Sequence, residues 1–196
     1  MAAGLTIRRG TRRDVPTILA LIRGLADYER LRHECVITAA ALRRDGFGPR
    51  RYFQTLICRR QGRPVGFALY FFTYSTFRAR PTLYLEDLFV LPGERGRGAG
   101  LGLLRALARI AVRRGCARLE WTVLDWNRPA IRFYRTLGAG FRREWVLTRL
   151  TGAPLARLAG VTTRRVPARG RRASGRRTPT AAGWRTRRRR RGPARA

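Results

Sequence analysis

Lysine is absent from this chain, and acids are few. All 44 basic residues among the 196 are arginine, against 11 aspartates and glutamates. So uniform a choice of cation, in a chain also rich in alanine, glycine and proline, marks coding bias. The net charge of +33 therefore does not by itself indicate a nucleic-acid partner. Cysteine is scarce. Cys35, Cys58 and Cys116 are an odd and widely spaced set, which argues against a disulfide framework and points to a reducing compartment. His33 is the only histidine, which excludes a His/Cys metal cluster, so no metal is expected. Long hydrophobic runs are missing too. "VGFALYFF" is too short to span a bilayer, and "MAAGLTIRRG" has no apolar segment of the signal-peptide kind. These absences predict a soluble, cytoplasmic protein with no membrane partner.

What is present suffices for one domain with a core, since 44% of residues are apolar. The acids all precede residue 145, whereas Val161 to Ala196 hold 14 arginines and no acid. Such a segment cannot bury enough apolar surface to offset its ordering entropy. The expected organisation is a folded domain over 1–160 and a disordered arginine-rich tail over 161–196.

The first part reads as mixed α/β. "LTIRRG" is a short strand. Val15, Ile18, Leu19, Ile22 and Leu25 share a helical face after Asp14, a candidate N-cap. A second helix follows Thr38 and ends at Gly46. "RYFQTLICRR" and "PVGFALYFFTY" are strands joined by a turn at Gln61-Gly62. "TLYLEDLFVLP" is a strand stopped by Pro92. Residues 101–114 form a helix closed by Gly115, and "ARLEWTVLD" is a strand. Asn127 caps a last helix with Pro129 in its first turn and Gly138 after its end. "FRREWVLTRL" reads as a closing strand or hairpin.

Between strand and helix stands "GERGRGAG", Gly93 to Gly100, with four glycines and two arginines. A helix N-terminus offers unpaired N–H groups and a positive dipole end, and glycines admit an anion close to that backbone. Arg95 and Arg97 add charge. The same residues also read as a turn with solvated arginines. A dinucleotide fingerprint is excluded by spacing, because the glycines fall at 96, 98, 100 and 102 rather than in G-x-G-x-x-G.

Arg95-Gly96-Arg97-Gly98-Ala99-Gly100 fits R/Q-x-x-G-x-G/A, and around it "LADYE", "DGFG", "YFFTYSTF", "LYLEDLFVLP" and "RGCARLEWTVLDWNRPAIRFYRTLGA" follow in order. From about Leu5 to Leu158 the chain resembles the GNAT N-acetyltransferases, and within them the diamine acetyltransferases (spermidine/spermine and thialysine N-acetyltransferases). The resemblance implies a GNAT fold, a central mixed sheet of about seven strands with helices on both faces. It implies acetyl-CoA as donor, direct transfer to a small amine in a ternary complex, and a homodimer. By it, Leu88, Phe89 and Val90 pair with pantetheine where a bulge near Asp87 splays the strand. Arg95, Gly96, Arg97, Gly98, Ala99, Gly100 and Leu101 hold the pyrophosphate. Asn127, Arg128, Pro129 and Ala130 give a second cofactor contact.

By the same resemblance Tyr134 is the general acid for the departing thiolate, and Glu86 is the base, directly or through a water. Tyr28, Glu29, Glu86, Glu120, Trp121, Thr122 and Glu144 line the amine pocket. On the residues alone, Phe133 and Tyr134 also read as core aromatics, Asp87 as an edge residue of an ordinary strand, Glu86 as a surface carboxylate and Asn127 as a cap. Phe77 stands where relatives often carry Trp, which leaves the identity of the amine open. Two other functions are weighed: binding of nucleic acid or an acidic partner through "WRTRRRRRGPARA", and an acyl-CoA-binding protein that has lost catalysis.

Overall fold

The first strand, β1 (Leu5–Arg9), leads through a short 3-10 turn into α1 (Val15–Tyr28). A computed structural model describes residues 4–161, so all of the expected tail but Val161 lies outside the described residues. The chain divides into a compact unit up to Gly140 and a second segment from Phe141 onward. In the first unit, α2 (Ala39–Phe47) is followed by β2 (Gln54–Arg60), β3 (Arg63–Ser75) and β4 (Arg80–Val90). Then come α3 (Ala99–Arg113), β5 (Arg118–Trp121) and α4 (Arg128–Thr136).

The strands lie in sequence order in one sheet, with β1 to β4 antiparallel and β5 parallel to β4. The β2–β3 hairpin turns on Gln61 and Gly62, with φ of 48° and 78°, as expected of a two-residue turn that needs left-handed backbone at both positions. Side-chain alternation then separates two apolar layers. Leu56, Cys58, Ala68, Tyr70, Leu83 and Leu85 pack with Leu103, Leu104 and Leu107 of α3 and with Tyr134 of α4. Ile57, Phe67, Leu69 and Phe89 turn the other way, toward Val15, Ile18 and Leu21 of α1 and Leu42 of α2. Helices therefore cover both faces of a mixed sheet, as expected.

Four sequence expectations are corrected. The sheet has five strands among the described residues rather than seven. β5 stops at Trp121 instead of running on to Asp125, and residues 141–150 carry no strand. Trp145, Val146 and Leu147 in that stretch are exposed. An alternating pattern becomes a strand only when a neighbouring strand takes its backbone bonds, and among the described residues none does. The second segment instead holds a short unpredicted helix, α5 (Gly152–Leu158). Finally, Asp14 does not cap α1 through its side chain. Its carboxylate accepts from both Arg8 guanidinium nitrogens at 2.7 Å and from the Thr11 N–H and hydroxyl at 2.8 and 2.7 Å. Arg8 beside it holds that carboxyl well below the usual range.

Candidate active site

The site begins with one extra residue in β4. Leu69 of β3 pairs with Asp87, but the next residue, Tyr70, pairs with Leu85, so Glu86 has no partner across the ladder. The sequence reading expected a bulge near Asp87, and it lies at Glu86. It inverts the alternation of β4. Leu83 and Leu85 face α3 before it, whereas after it Leu88 and Val90 pack on that side and Phe89 joins the α1 side. The unbroken row of Leu83, Leu85, Asp87 and Phe89 that strict alternation gives does not exist.

The bulge also ends a strand pairing. β4 and β5 stay in register from Thr82↔Arg118 to Leu85↔Trp121, and no pair follows Leu85. The Leu91 N–H donates to the Val65 carbonyl of β3 at 2.9 Å. By the two-residue period, the backbone groups of Val90 and Leu88 point the other way, into the gap that β5 leaves. The Arg95 Nε donates to the Val90 carbonyl there at 3.1 Å.

The glycine loop closes one end of this gap. A 3-10 turn, Pro92–Glu94, follows the strand. Gly96 and Gly98 have φ of 72° and 86°, left-handed backbone that disfavours any side chain. Gly98 is the N-cap of α3, and the first helical bond runs from the Gly102 N–H to its carbonyl at 2.9 Å. The N–H groups of Ala99, Gly100 and Leu101 precede that bond and have no helical acceptor. An anion fits this backbone and dipole. The two arginines of the loop part ways. Arg97 donates to Glu94 Oε1 at 3.1 Å, while the Arg95 guanidinium lies 4.2 Å over the Tyr28 ring and 5.8 Å from the Phe89 ring.

Asn127 caps α4, and its Oδ1 accepts from the Ala130 N–H at 3.3 Å and from the Tyr28 hydroxyl at 3.1 Å. Tyr28 thus connects Arg95 of the loop with the start of α4. Arg128 and Pro129 form the exposed first turn. One turn beyond Ala130, Tyr134 is only 7% exposed, its ring 5.0 Å from Trp121 and 5.6 Å from Phe133. Burial, then the nearby Glu29 and Tyr28, push its phenol up to about 12. At neutral pH it keeps its proton.

Three carboxylates gather on the α1 side. Burial pushes the Asp87 carboxyl up to about 7, and the charges of Glu86 and Glu29 add to the shift. Burial also raises Glu29. Glu86, the bulged residue, is the exposed member. Among the described residues no three acids, cysteines or histidines are placed to hold a metal ion. The sequence reading used Asp87 only to locate the bulge. Its signal was there, as the one acid in an apolar row, but its burial depends on α1 and β3.

The structure thus brings together Tyr28, Glu29, Glu86, Leu88, Phe89, Val90, Arg95, Asn127 and Tyr134. Trp121 joins through its ring. Glu120 is half-exposed on β5 and is paired with Arg118 at 3.0 Å, and Thr122 is exposed just beyond the strand. Glu144 belongs to the second segment, where it faces Arg142 at 3.7 Å. A shallow recess at the start of α1, lined by Arg8, Arg12, Arg13 and Arg59, shares no residue with this site.

The model of the Acetyltransferase (GNAT) family matches residues 19–139. A thialysine N-epsilon-acetyltransferase of Mus musculus is 37% identical over 169 residues, covering 81% of this chain and 99% of that protein. A spermidine/spermine N(1)-acetyltransferase-like protein of Homo sapiens is 39% identical over 140 residues, 68% of this chain and 20% of that protein. Among solved structures, an integron cassette protein from the mobile metagenome of V. cholerae superposes with a TM-score of 0.68. It is 27% identical, over 80% of this chain and 98% of that one.

Proposed function

The chain belongs to the acetyltransferase (GNAT) family and is an N-acetyltransferase; we propose that it moves acetyl from acetyl-CoA directly to a small aliphatic amine of the polyamine, diamine or thialysine kind. The observation that carries this reading is the bulge at Glu86. It opens β4 from β5 between a glycine-lined helix start and a buried tyrosine, with acids at the same residue. The donor set fits acetyl-CoA. The helix start with Gly96 to Leu101, flanked by Arg95 and Arg97, suits a pyrophosphate, the edge at Leu88 to Val90 that β5 does not pair suits the amides of pantetheine once Arg95 leaves the Val90 carbonyl, and Asn127 to Ala130 bound the other side.

An aliphatic amine arrives as ammonium and must lose a proton before it can attack. Glu86, exposed at the bulge, meets it first. Asp87, with a proton affinity matched to neutral pH, is the better reservoir. Glu29 and Tyr28 complete a pocket that favours a cation, with Trp121, Thr122 and Glu120 as further lining. Tyr134 gives its proton to the departing thiolate. An isolated phenol near 12 is a weak acid for this task, and a bound cation beside Glu29 would draw it back down. A homodimer in the cytoplasm is the accompanying proposal.

The test is thiol release from acetyl-CoA against a panel of amines. Turnover is expected with polyamines, diamines or thialysine and not with neutral or anionic acceptors. Tyr134→Phe keeps the ring and its packing but removes the proton, so kcat should fall by about 10²-fold with little change in acetyl-CoA affinity. Parental kcat in that variant across the pH range would show that Tyr134 only packs.

A further inference from the structure

We propose that Arg60, the last residue of β2, is a positioning residue that sets the shape of the glycine loop for an anionic donor. The proposal rests on the reading of that loop as a pyrophosphate site. Arg60 lies far from the loop in sequence. Its Nε donates to Glu94 Oε2 at 2.7 Å, and a terminal nitrogen donates to the Arg97 carbonyl at 2.8 Å. The guanidinium is a rigid planar fork, so two such bonds fix the separation of the residues they hold. Arg95 and Gly96 lie between those residues, and Gly98 follows the second. The turn that leads into α3 is therefore held across one half-buried cation.

The second bond also fixes an orientation. In a trans peptide the carbonyl and the following N–H point in opposite directions. With the Arg97 carbonyl drawn toward Arg60, the Gly98 N–H faces away from β2. It joins the N–H groups of Ala99, Gly100 and Leu101 at the mouth of the helix. The first bond solves an electrostatic difficulty. Glu94 is a carboxylate beside a site for a dianion, and unpaired it would repel that ligand. Arg60 and Arg97 both hold it, at 2.7 and 3.1 Å. Arg60 is only 13% exposed, whereas Arg97 is 55% exposed. Arg97 can turn out to an arriving phosphate while Arg60 stays on Glu94 and keeps its charge balanced.

The experiment compares two acetyl donors, acetyl-CoA and S-acetyl-pantetheine, which lacks the pyrophosphate. Arg60→Met keeps the aliphatic stem and removes the fork. It should raise KM for acetyl-CoA about tenfold, the size of a lost hydrogen bond to a charged group. Its kcat, and its KM for S-acetyl-pantetheine, should move by less than about twofold, because the lost contact acts only through the phosphate loop. Arg60→Lys should recover part of the loss. Glu94→Gln added to Arg60→Met should cost less than the two effects summed, since the residues act as a unit. If Arg60→Met does not fold, Arg60→Lys and Glu94→Gln carry the same two-donor comparison. An unchanged KM for acetyl-CoA, or an equal rise for both donors, overturns the proposal. Gly98→Val separates the causes. If it shifts the ratio of the two KM values and Arg60→Met does not, the Arg60 role alone falls. If neither shifts it, the loop is not a pyrophosphate site and both readings fall.

Discussion

Asp14 and Asp87 are the same side chain at opposite ends of α1, and the protein treats them in opposite ways. Asp14 precedes the helix, 5% exposed, with four hydrogen bonds from Arg8 and Thr11. Those donors and the positive end of the helix dipole hold it ionised far into acid. Asp87 lies on the strand beside the other end of α1, where Glu29 follows the last helical residue. The dipole there is negative and the nearest charges are Glu29 and Glu86, so burial goes uncompensated and the carboxyl rises to about 7. One acid has every lone pair answered and can only support the fold. Among the described residues no cation offsets the charge of the other, and a ligand that brings one gains from that charge.

The comparison is broken most severely at Asp87. Asp87→Asn removes the proton reservoir and should lower kcat/KM for the amine by about 10²-fold, the size of general base catalysis. In the parent, kcat/KM should fall as pH drops through about 7, where Asp87 takes up its proton, and in the variant that limb should flatten. Stability should move the other way. A carboxyl whose folded pKa is raised binds protons more tightly when folded, so the parent loses stability as pH rises from the unfolded value, about 4, through 7. Asp87→Asn should therefore melt higher than the parent at pH 8. A variant that keeps the acid limb, or melts lower at pH 8, would remove Asp87 from the chemistry.

Asp14→Asn sharpens the contrast from the structural side. Its pKa is depressed on folding, so its contribution is complete above about 4 and is lost as pH falls below that. The variant should lose about 2 kcal/mol at neutral pH, since Arg8 is half-exposed and partly recovers water. That is roughly a thirtyfold change in the folding equilibrium. Activity per folded molecule should stay at the parental value. Denaturant melts at pH 7 and pH 3 check it, because the gap between the two proteins should begin to narrow by pH 3 and keep narrowing toward the depressed value of the folded carboxyl.

Much of this could be read along the chain. The four helices up to Thr136, the Gln61-Gly62 turn and the Asn127 cap each depend on residues a few positions apart, and each was legible. The glycine turn into α3 was legible because backbone freedom and helix polarity are local properties. The bulge was legible only in outline, since its position depends on how β3 pairs with β4. What stayed hidden was long-range. The raised proton affinity of Asp87 needs α1 and β3 around it, and the reach of Arg60 to Glu94 spans a whole hairpin. Residues 141–150 failed for the complementary reason. Their alternating pattern promised a strand, but a pattern names a face and not a partner.

The smallest expected effect concerns the connection between the two ends of the site. The Tyr28 hydroxyl donates to Asn127 Oδ1 at 3.1 Å, and the same oxygen accepts from the Ala130 N–H at 3.3 Å. Tyr28→Phe removes one of the two donors and leaves the cap intact. The ring stays, and with it the contact of Arg95 at 4.2 Å. A neutral hydrogen bond at a partly open position contributes about 0.5–1 kcal/mol, so the melting temperature should fall by only about 1–3 °C. The orientation of Asn127 is less constrained afterwards, and Asn127 opens the helix that carries Tyr134. KM for the amine should accordingly rise by about two- to fourfold while the acid limb of the pH profile keeps its shape, since no carboxylate has been lost. Tyr28→Ala exposes the difference between hydroxyl and ring. It frees the Arg95 guanidinium, and the loss should then extend to acetyl-CoA. If Tyr28→Phe already weakens acetyl-CoA as strongly as Tyr28→Ala does, the hydroxyl rather than the ring joins the loop to α4, and the stacking of Arg95 is incidental.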